Sequence, residues 1–178
     1  ASGETQRVVA NLPQLTSQGV EVETAFSPTE NLSMNFAATY QDADFGEEAF
    51  PASLSYLEDR GNFNAPKWTL VSSANYDRDL PGTSLRSFAY LDARWQSKSN
   101  VSFSASVGPT HEQEAYATFN GRVGLGSQSE SWTLEVWGRN LTDENAWAMT
   151  GAGTLQPGTV QGYGIEPRTY GATLRVTW

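Results

Sequence analysis

Apolar and polar residues alternate along this chain with a period of two, and the alternation is cleanest at its carboxyl end. Tyr170, Ala172, Leu174, Val176 and Trp178 fall on one face, and Thr169, Gly171, Thr173, Arg175 and Thr177 fall on the other. Successive side chains of an extended strand point to opposite faces, so this period predicts a strand with one apolar and one polar side. The pattern recurs upstream. Val20, Val22, Thr24 and Phe26 alternate with Glu21, Glu23 and Ala25, and Leu32, Met34, Phe36, Ala38 and Tyr40 alternate with Ser33, Asn35, Ala37 and Thr39. Trp68 to Tyr76, Ala89 to Trp95, Ala117 to Leu125 and Trp132 to Arg139 repeat it. An eighth, weaker strand is expected over Thr5 to Ala10, paired with the strand that begins near Ser17. No stretch carries a helical repeat. The expected fold is all-β.

A single amphipathic strand fits either a soluble sandwich, whose apolar face packs on a core, or an outer-membrane barrel, whose apolar face meets lipid. Two features favour the barrel. Glu21, Glu23, Asp92, Arg94, Arg122, Glu135 and Arg175 lie mid-strand on the polar face. Unpaired charges are costly in a dry core, whereas a hydrated barrel interior accommodates them. The connections also alternate in length. Ser27–Asn31, Asp79–Leu85 and Ser127–Ser131 are short; Asp42–Lys67, Ser97–Glu114 and Asp143–Arg168 are long. Short periplasmic turns alternating with long surface loops are the rhythm of outer-membrane barrels. An antiparallel meander is expected, each strand pairing with its sequence neighbour.

Composition modifies this picture only a little. The 178 residues have a mean hydropathy of −0.47, and no apolar run approaches the roughly 20 residues of a membrane-spanning helix. A barrel strand gives only alternate residues to lipid and escapes such a scan. Six Trp and seven Tyr suit membrane interfaces, where an apolar ring and a polar tip are both accommodated. The absence of cysteine excludes disulfides and thiolate metal sites. A net charge of −9 argues against nucleic acid as a partner, since phosphate binding requires clustered Lys and Arg. Ala1 to Ala10 has neither the basic start nor the apolar stretch of a secretion signal.

Candidate chemistry is sparse. His111 is the one histidine, with no Cys or second His beside it, and reads as a solvated loop group. Asp42, Asp44, Glu47, Glu48, Glu58 and Asp59 make an acidic connection without the spacing of a dedicated calcium loop. No G-x-S-x-G elbow is present, and the glycine pairs Gly124/Gly126 and Gly151/Gly153 precede no helix. No catalytic, cofactor or metal site is expected.

Four stretches resemble the carboxyl-terminal barrel of TonB-dependent outer-membrane receptors. They are Ser17-Gln-Gly-Val-Glu-Val-Glu23 with Pro28 and Asn31-Leu32; Asn64-Ala-Pro-Lys-Trp-Thr-Leu70; Trp137-Gly-Arg-Asn-Leu-Thr-Asp-Glu144, with its strand-closing N-L-T-D; and Pro167-Arg-Thr-Tyr-Gly171 running on to Trp178. The likeness spans essentially the whole chain. It implies that residues 1–178 form seven to eight transmembrane strands of a large barrel, of about 22 strands around a plug, with the plug and earlier strands absent. It implies a transporter importing a scarce ligand such as a ferric siderophore, not an enzyme, in the outer membrane. The implied partners are lipid and lipopolysaccharide, the barrel-assembly machinery, the remaining strands and plug, and, indirectly, TonB. Trp178 would be the assembly signal and periplasmic aromatic anchor, and the seven mid-strand charges would face the lumen. The alternatives are a self-contained eight-stranded barrel with a structural or adhesion role, an outer-membrane enzyme, and a carbohydrate-binding sandwich.

Overall fold

The computed structural model describes residues 14–45, 50–51, 55, 63–102, 104, 112–153, 156 and 158–178. Eleven strands follow in order: β1 (Leu15–Thr29), β2 (Leu32–Phe45), β3 (Trp68–Asp79), β4 (Leu85–Gln96), β5 (Ser99–Asn100), β6 (Glu112–Gln113), β7 (Tyr116–Ser127), β8 (Trp132–Arg139), β9 (Trp147–Ala152), β10 (Val160–Gly164) and β11 (Thr169–Val176). Seven of them form one sheet in the order β1-β2-β3-β4-β7-β8-β11, every neighbouring pair antiparallel. This is the expected meander. The candidate strand at Thr5–Ala10 lies outside the described residues.

The boundaries differ from the sequence expectation in instructive ways. β1 and β2 run several residues past the alternating core, pairing from Leu15↔Phe45 to Thr29↔Leu32, so the turn shrinks to Glu30-Asn31. Pro28 therefore sits inside the end of β1, where a register shift between Phe26 and Thr29 accommodates a residue that has no N–H to give the ladder. β4 begins four residues before Ala89, because Pro81-Gly82 closes a tighter turn, with the Thr83 N–H on the Leu80 carbonyl at 3.2 Å. The long connections are not irregular throughout. The second and third carry the short pairs β5/β6 and β9/β10.

Cross-strand partners share a face, so the register can be read across the sheet. One face carries Val22, Ala38, Leu70, Trp95 and Ala117 at one level, and Val123, Val136 and Ala172 at another. Fifteen large apolar side chains of this face stay exposed, from Val20 (65%) on β1 to Val176 (53%) on β11. Among the described residues, Phe50, Val101 and Ala146 are the buried hydrophobic ones, and none belongs to the seven-stranded sheet. Nothing in the described chain packs on the apolar face as a core. β1 and β11 each have one ladder partner among the described residues, so the sheet is open.

At the turn end each short turn is bonded to the next strand pair. The Asp77 N–H donates to the Asn31 carbonyl, Gln128 N–H to Ser84 and Thr177 N–H to Ser131, each at 2.9 Å. Arg86 of β4 contacts Asp77 of β3 at 3.7 Å and Glu130 of the β7–β8 turn at 3.1 Å.

Candidate functional site: a charged wall and the base of the surface connections

All seven charges singled out in the sequence fall on the polar face. The register aligns Glu21 with Thr39 and Glu23 with Ala37 on the β1 side, Asp92 with Asn120 and Arg94 with Thr118 in the middle, and Glu135 with Thr173 and Arg175 with Thr133 at the far edge. Arg122 stands opposite both Tyr90 and Trp137. Some of these groups are brought together. Arg122 reaches Glu135 at 3.7 Å, and its guanidinium lies 5.5 Å from the Tyr90 ring centre. Asn120 donates to Asp92 at 2.7 Å. Glu21, Glu23, Arg94 and Arg175 form no ion pair among the described residues.

Tyr90, Asp92, Asn120, Arg122, Glu135, Trp137 and Arg139 line a shallow depression of about 420 Å³ on this wall. Trp137 breaks the expected alternation by placing a large ring on the polar side. Its indole N–H donates to Thr173 Oγ1 at 3.1 Å, and Arg139 stacks 5.8 Å from the ring centre. An amphipathic ring whose polar tip is satisfied fits a wet wall.

The depression leads to Asn140, which sequence reasoning treated only as part of a strand-closing motif. It is 4% exposed and takes a left-handed φ of 48°. Asparagine tolerates this conformation, and its amide can bond the local backbone. Its N–H donates to Asn120 Oδ1 at 2.9 Å. Its Oδ1 accepts from the Glu144 N–H at 2.9 Å, and its Nδ2 donates to the carbonyls of Glu144 at 2.8 Å and Glu166 at 3.0 Å. The side chain thus holds both ends of the connection between β8 and β11. Two ion pairs flank it, Arg139–Glu166 at 3.5 Å and Arg168–Asp143 at 3.2 Å. Leu141 folds back over Gly138, where a Cβ would lie 2.6 Å from its Cδ2. Asn, Leu, Asp and the preceding glycine each have a task here, which is the physical content of the motif.

Tyr and Trp side chains of the apolar face gather at the two ends of the sheet. Tyr40 and Trp68 meet at 4.9 Å beside the long connections, and Tyr76 and Trp132 sit beside the short turns. Trp68 and Tyr76 are eight residues apart on β3, or about 26 Å of strand. Flanking aromatic girdles and an apolar band about 25 Å tall mark outer-membrane barrels. Trp178 follows β11 at the turn end and is wholly exposed.

Other candidates are less constructive. His111, Glu47, Glu48, Glu58 and Asp59 lie outside the described residues. Asp42 pairs with Lys67 at 3.0 Å, and this carboxylate raises the ammonium above its ordinary pKa. Asp44 accepts the Phe45 N–H. Among the described residues no group of three His, Cys, Asp or Glu side chains could hold a metal ion.

An antiparallel meander with one exposed apolar face, one charged face and aromatic ends is the wall of an outer-membrane barrel. The comparisons agree. Residues 2–141 match the model of the TonB dependent receptor-like β-barrel family, and the chain belongs to that family. No curated protein matches it. The fold is similar to that of the ferric yersiniabactin uptake receptor FyuA of Yersinia pestis, with a TM-score of 0.76 and 16% identity over 93% of this chain and 24% of that one. It is also similar to BauA, the ferric preacinetobactin receptor of Acinetobacter baumannii, with a TM-score of 0.63 and 17% identity over 90% of this chain and 22% of that one. The chain therefore spans about a quarter of the length of these receptors.

Proposed function

We propose that residues 1–178 form the carboxyl-terminal wall of a TonB-dependent receptor that imports a scarce ligand of the ferric-siderophore kind across the outer membrane. The observation that carries this reading is the partition of the sheet, with seven mid-strand charges on one face and fifteen exposed apolar side chains on the other. In this reading the apolar face meets lipid, and Glu21, Glu23, Asp92, Arg94, Arg122, Glu135 and Arg175 line the lumen around a plug. The long connections face outward among lipopolysaccharide, and Trp178 anchors the periplasmic rim and marks the strand for the barrel-assembly machinery. TonB would act through the plug. Transport needs no bond-making on the wall, which agrees with a non-enzymatic role.

The self-contained eight-stranded barrel would need β11 to pair with β1 or with a strand before it; among the described residues β1 and β11 do not pair, and Thr5–Ala10 lies outside them. Open edges in lipid would leave backbone groups unsatisfied at several kcal/mol each. Further strands on both edges remove that cost. The test is uptake of radiolabelled ferric siderophores by cells expressing the full-length protein, with and without TonB. TonB-dependent accumulation of at least one of them is expected. No accumulation of any, together with a monodisperse 178-residue monomer in detergent, would replace the receptor reading by the small barrel.

A further inference from the structure

Among the described residues buried side chains are few, and apart from Ser127 they gather at one end of the sheet, with Val101 at 1%, Ser102 at 0%, Asn140 at 4% and Thr150 at 3% exposure. These residues come from different connections. The first is tied to the second where the Asn64 N–H donates to the Asn100 carbonyl at 2.7 Å, beside a Phe63–Asn100 bridge. The second is tied to the third twice, through Thr150 N–H on the Val101 carbonyl at 2.8 Å and Trp147 N–H on Gln113 Oε1 at 2.7 Å. The third is fastened at its base by Asn140, which Asn120 links in turn to Asp92 on the wall. We propose that the described residues of the three long connections form one cooperative cap, and that Asn140 is the positioning residue that fixes this cap to the charged wall.

The argument is one of satisfied backbone groups. Buried backbone groups without ladder partners must find others, and here the Thr150 N–H and the carbonyls of Val101 and Asn100 find them on neighbouring connections. Each link between connections joins groups on two of them, so the opening of one withdraws a partner from its neighbour and the three open together. The cap is a preformed rim, and a ligand approaching it meets one surface assembled from all three connections. The inference rests on the proposed receptor reading only in setting this rim outside the cell.

The experiment is amide hydrogen exchange on the full-length protein in detergent, comparing wild type with Asn140→Gly and Asn140→Asp. Glycine adopts the left-handed φ freely, so Asn140→Gly removes the side-chain bonds without adding backbone strain. Exchange at Asn64, Ser102 and Thr150 should accelerate at least about tenfold in Asn140→Gly, with β3 and β4 amides unchanged. Asn140→Asp keeps the acceptor for the Glu144 N–H but sets a carboxylate oxygen against both carbonyls, and should accelerate the same amides at least as much as Asn140→Gly. Acceleration confined to residues 141–146 and 165–168 would overturn the cooperative cap. Uniform acceleration across the sheet would overturn the positioning role. If Asn140→Gly does not fold, Gln113→Ala severs the link to Trp147 instead; acceleration at Asn64 and Thr150 supports the cap, and acceleration at Trp147 alone refutes it. Labelling of a Gly158→Cys variant with an impermeant reagent on intact cells tests the orientation separately. Its failure would sink the outward placement and leave the exchange result standing.

Discussion

The sheet and the surface connections solve opposite problems. The sheet satisfies the backbone of its inner strands within its ladders and leaves its apolar side chains uncovered; Leu174 and Val136 are 66% and 58% exposed. The connections do the reverse, burying Asn100, Ser102, Asn140 and Thr150 under polar contacts between segments. A leucine or valine left in water forgoes about 1.5–3 kcal/mol of burial, so a sheet of this kind depends on an apolar solvent. The cap has no such need. In the proposed reading one part of the molecule meets lipid and the other water, and the boundary runs through the Tyr and Trp residues at the strand ends.

The sharpest way to break this comparison is to put a charge on each face of one strand. Leu174→Arg should cost about 2–4 kcal/mol in vesicle unfolding experiments if Leu174 lies near the bilayer midplane. Thr173→Arg should cost much less, chiefly the hydrogen bond from Trp137, about 1 kcal/mol. Equal costs would refute the assignment of the faces. Next in size is Asn120→Ala. It removes the acceptor of the buried Asn140 N–H and a donor to Asp92, and should destabilise by about 1–3 kcal/mol; a change within 0.3 kcal/mol would show water replacing it. Arg122→Gln tests a half-exposed pair on the wall, and about 0.5 kcal/mol is expected because solvent screens it. A cost above 2 kcal/mol would mean that the wall at this point is dry.

The smallest effect concerns Asp42 and Lys67, beside the cap. The raised ammonium pKa makes the contribution of this pair complete below the ordinary lysine range, and it is lost as pH rises through the raised value. Asp42→Asn should return the Lys67 titration, followed by NMR, to its ordinary position. An unmoved titration would assign the shift to another neighbour.

The strands were legible because their period is set by geometry alone: Glu135 and Leu134 cannot share a face whatever surrounds them. The three short turns were legible for a similar reason, since they must close adjacent strands. The cap was not. Its contacts join Asn64 to Asn100 and Gln113 to Trp147 across dozens of residues, with no period to announce them. Asn140 was visible as part of a motif, but its motif residues do not reveal that its partners are backbone groups at Glu144 and Glu166. Trp137 was missed as a wall residue because its ring reads as apolar, whereas its N–H is what places it on the wet side.

The turn-to-strand bonds that stitch the opposite end of the sheet bear on how this segment assembles. Each of β1/β2, β3/β4 and β7/β8 is a hairpin closed by a few residues; the first two are bonded to the next hairpin at their turns, and the third to Thr177 beyond β11. Closing such short loops takes well under a millisecond, and the entropy of a long connection grows only as the logarithm of its length, about 0.6 kcal/mol per doubling. The molecule therefore has three local units joined at the stitched end, and the length of the long connections between them should enter the speed of sheet formation only weakly. Insertions between β9 and β10 should leave the speed of sheet formation almost unchanged, whereas lengthening the Glu30-Asn31 turn should slow it.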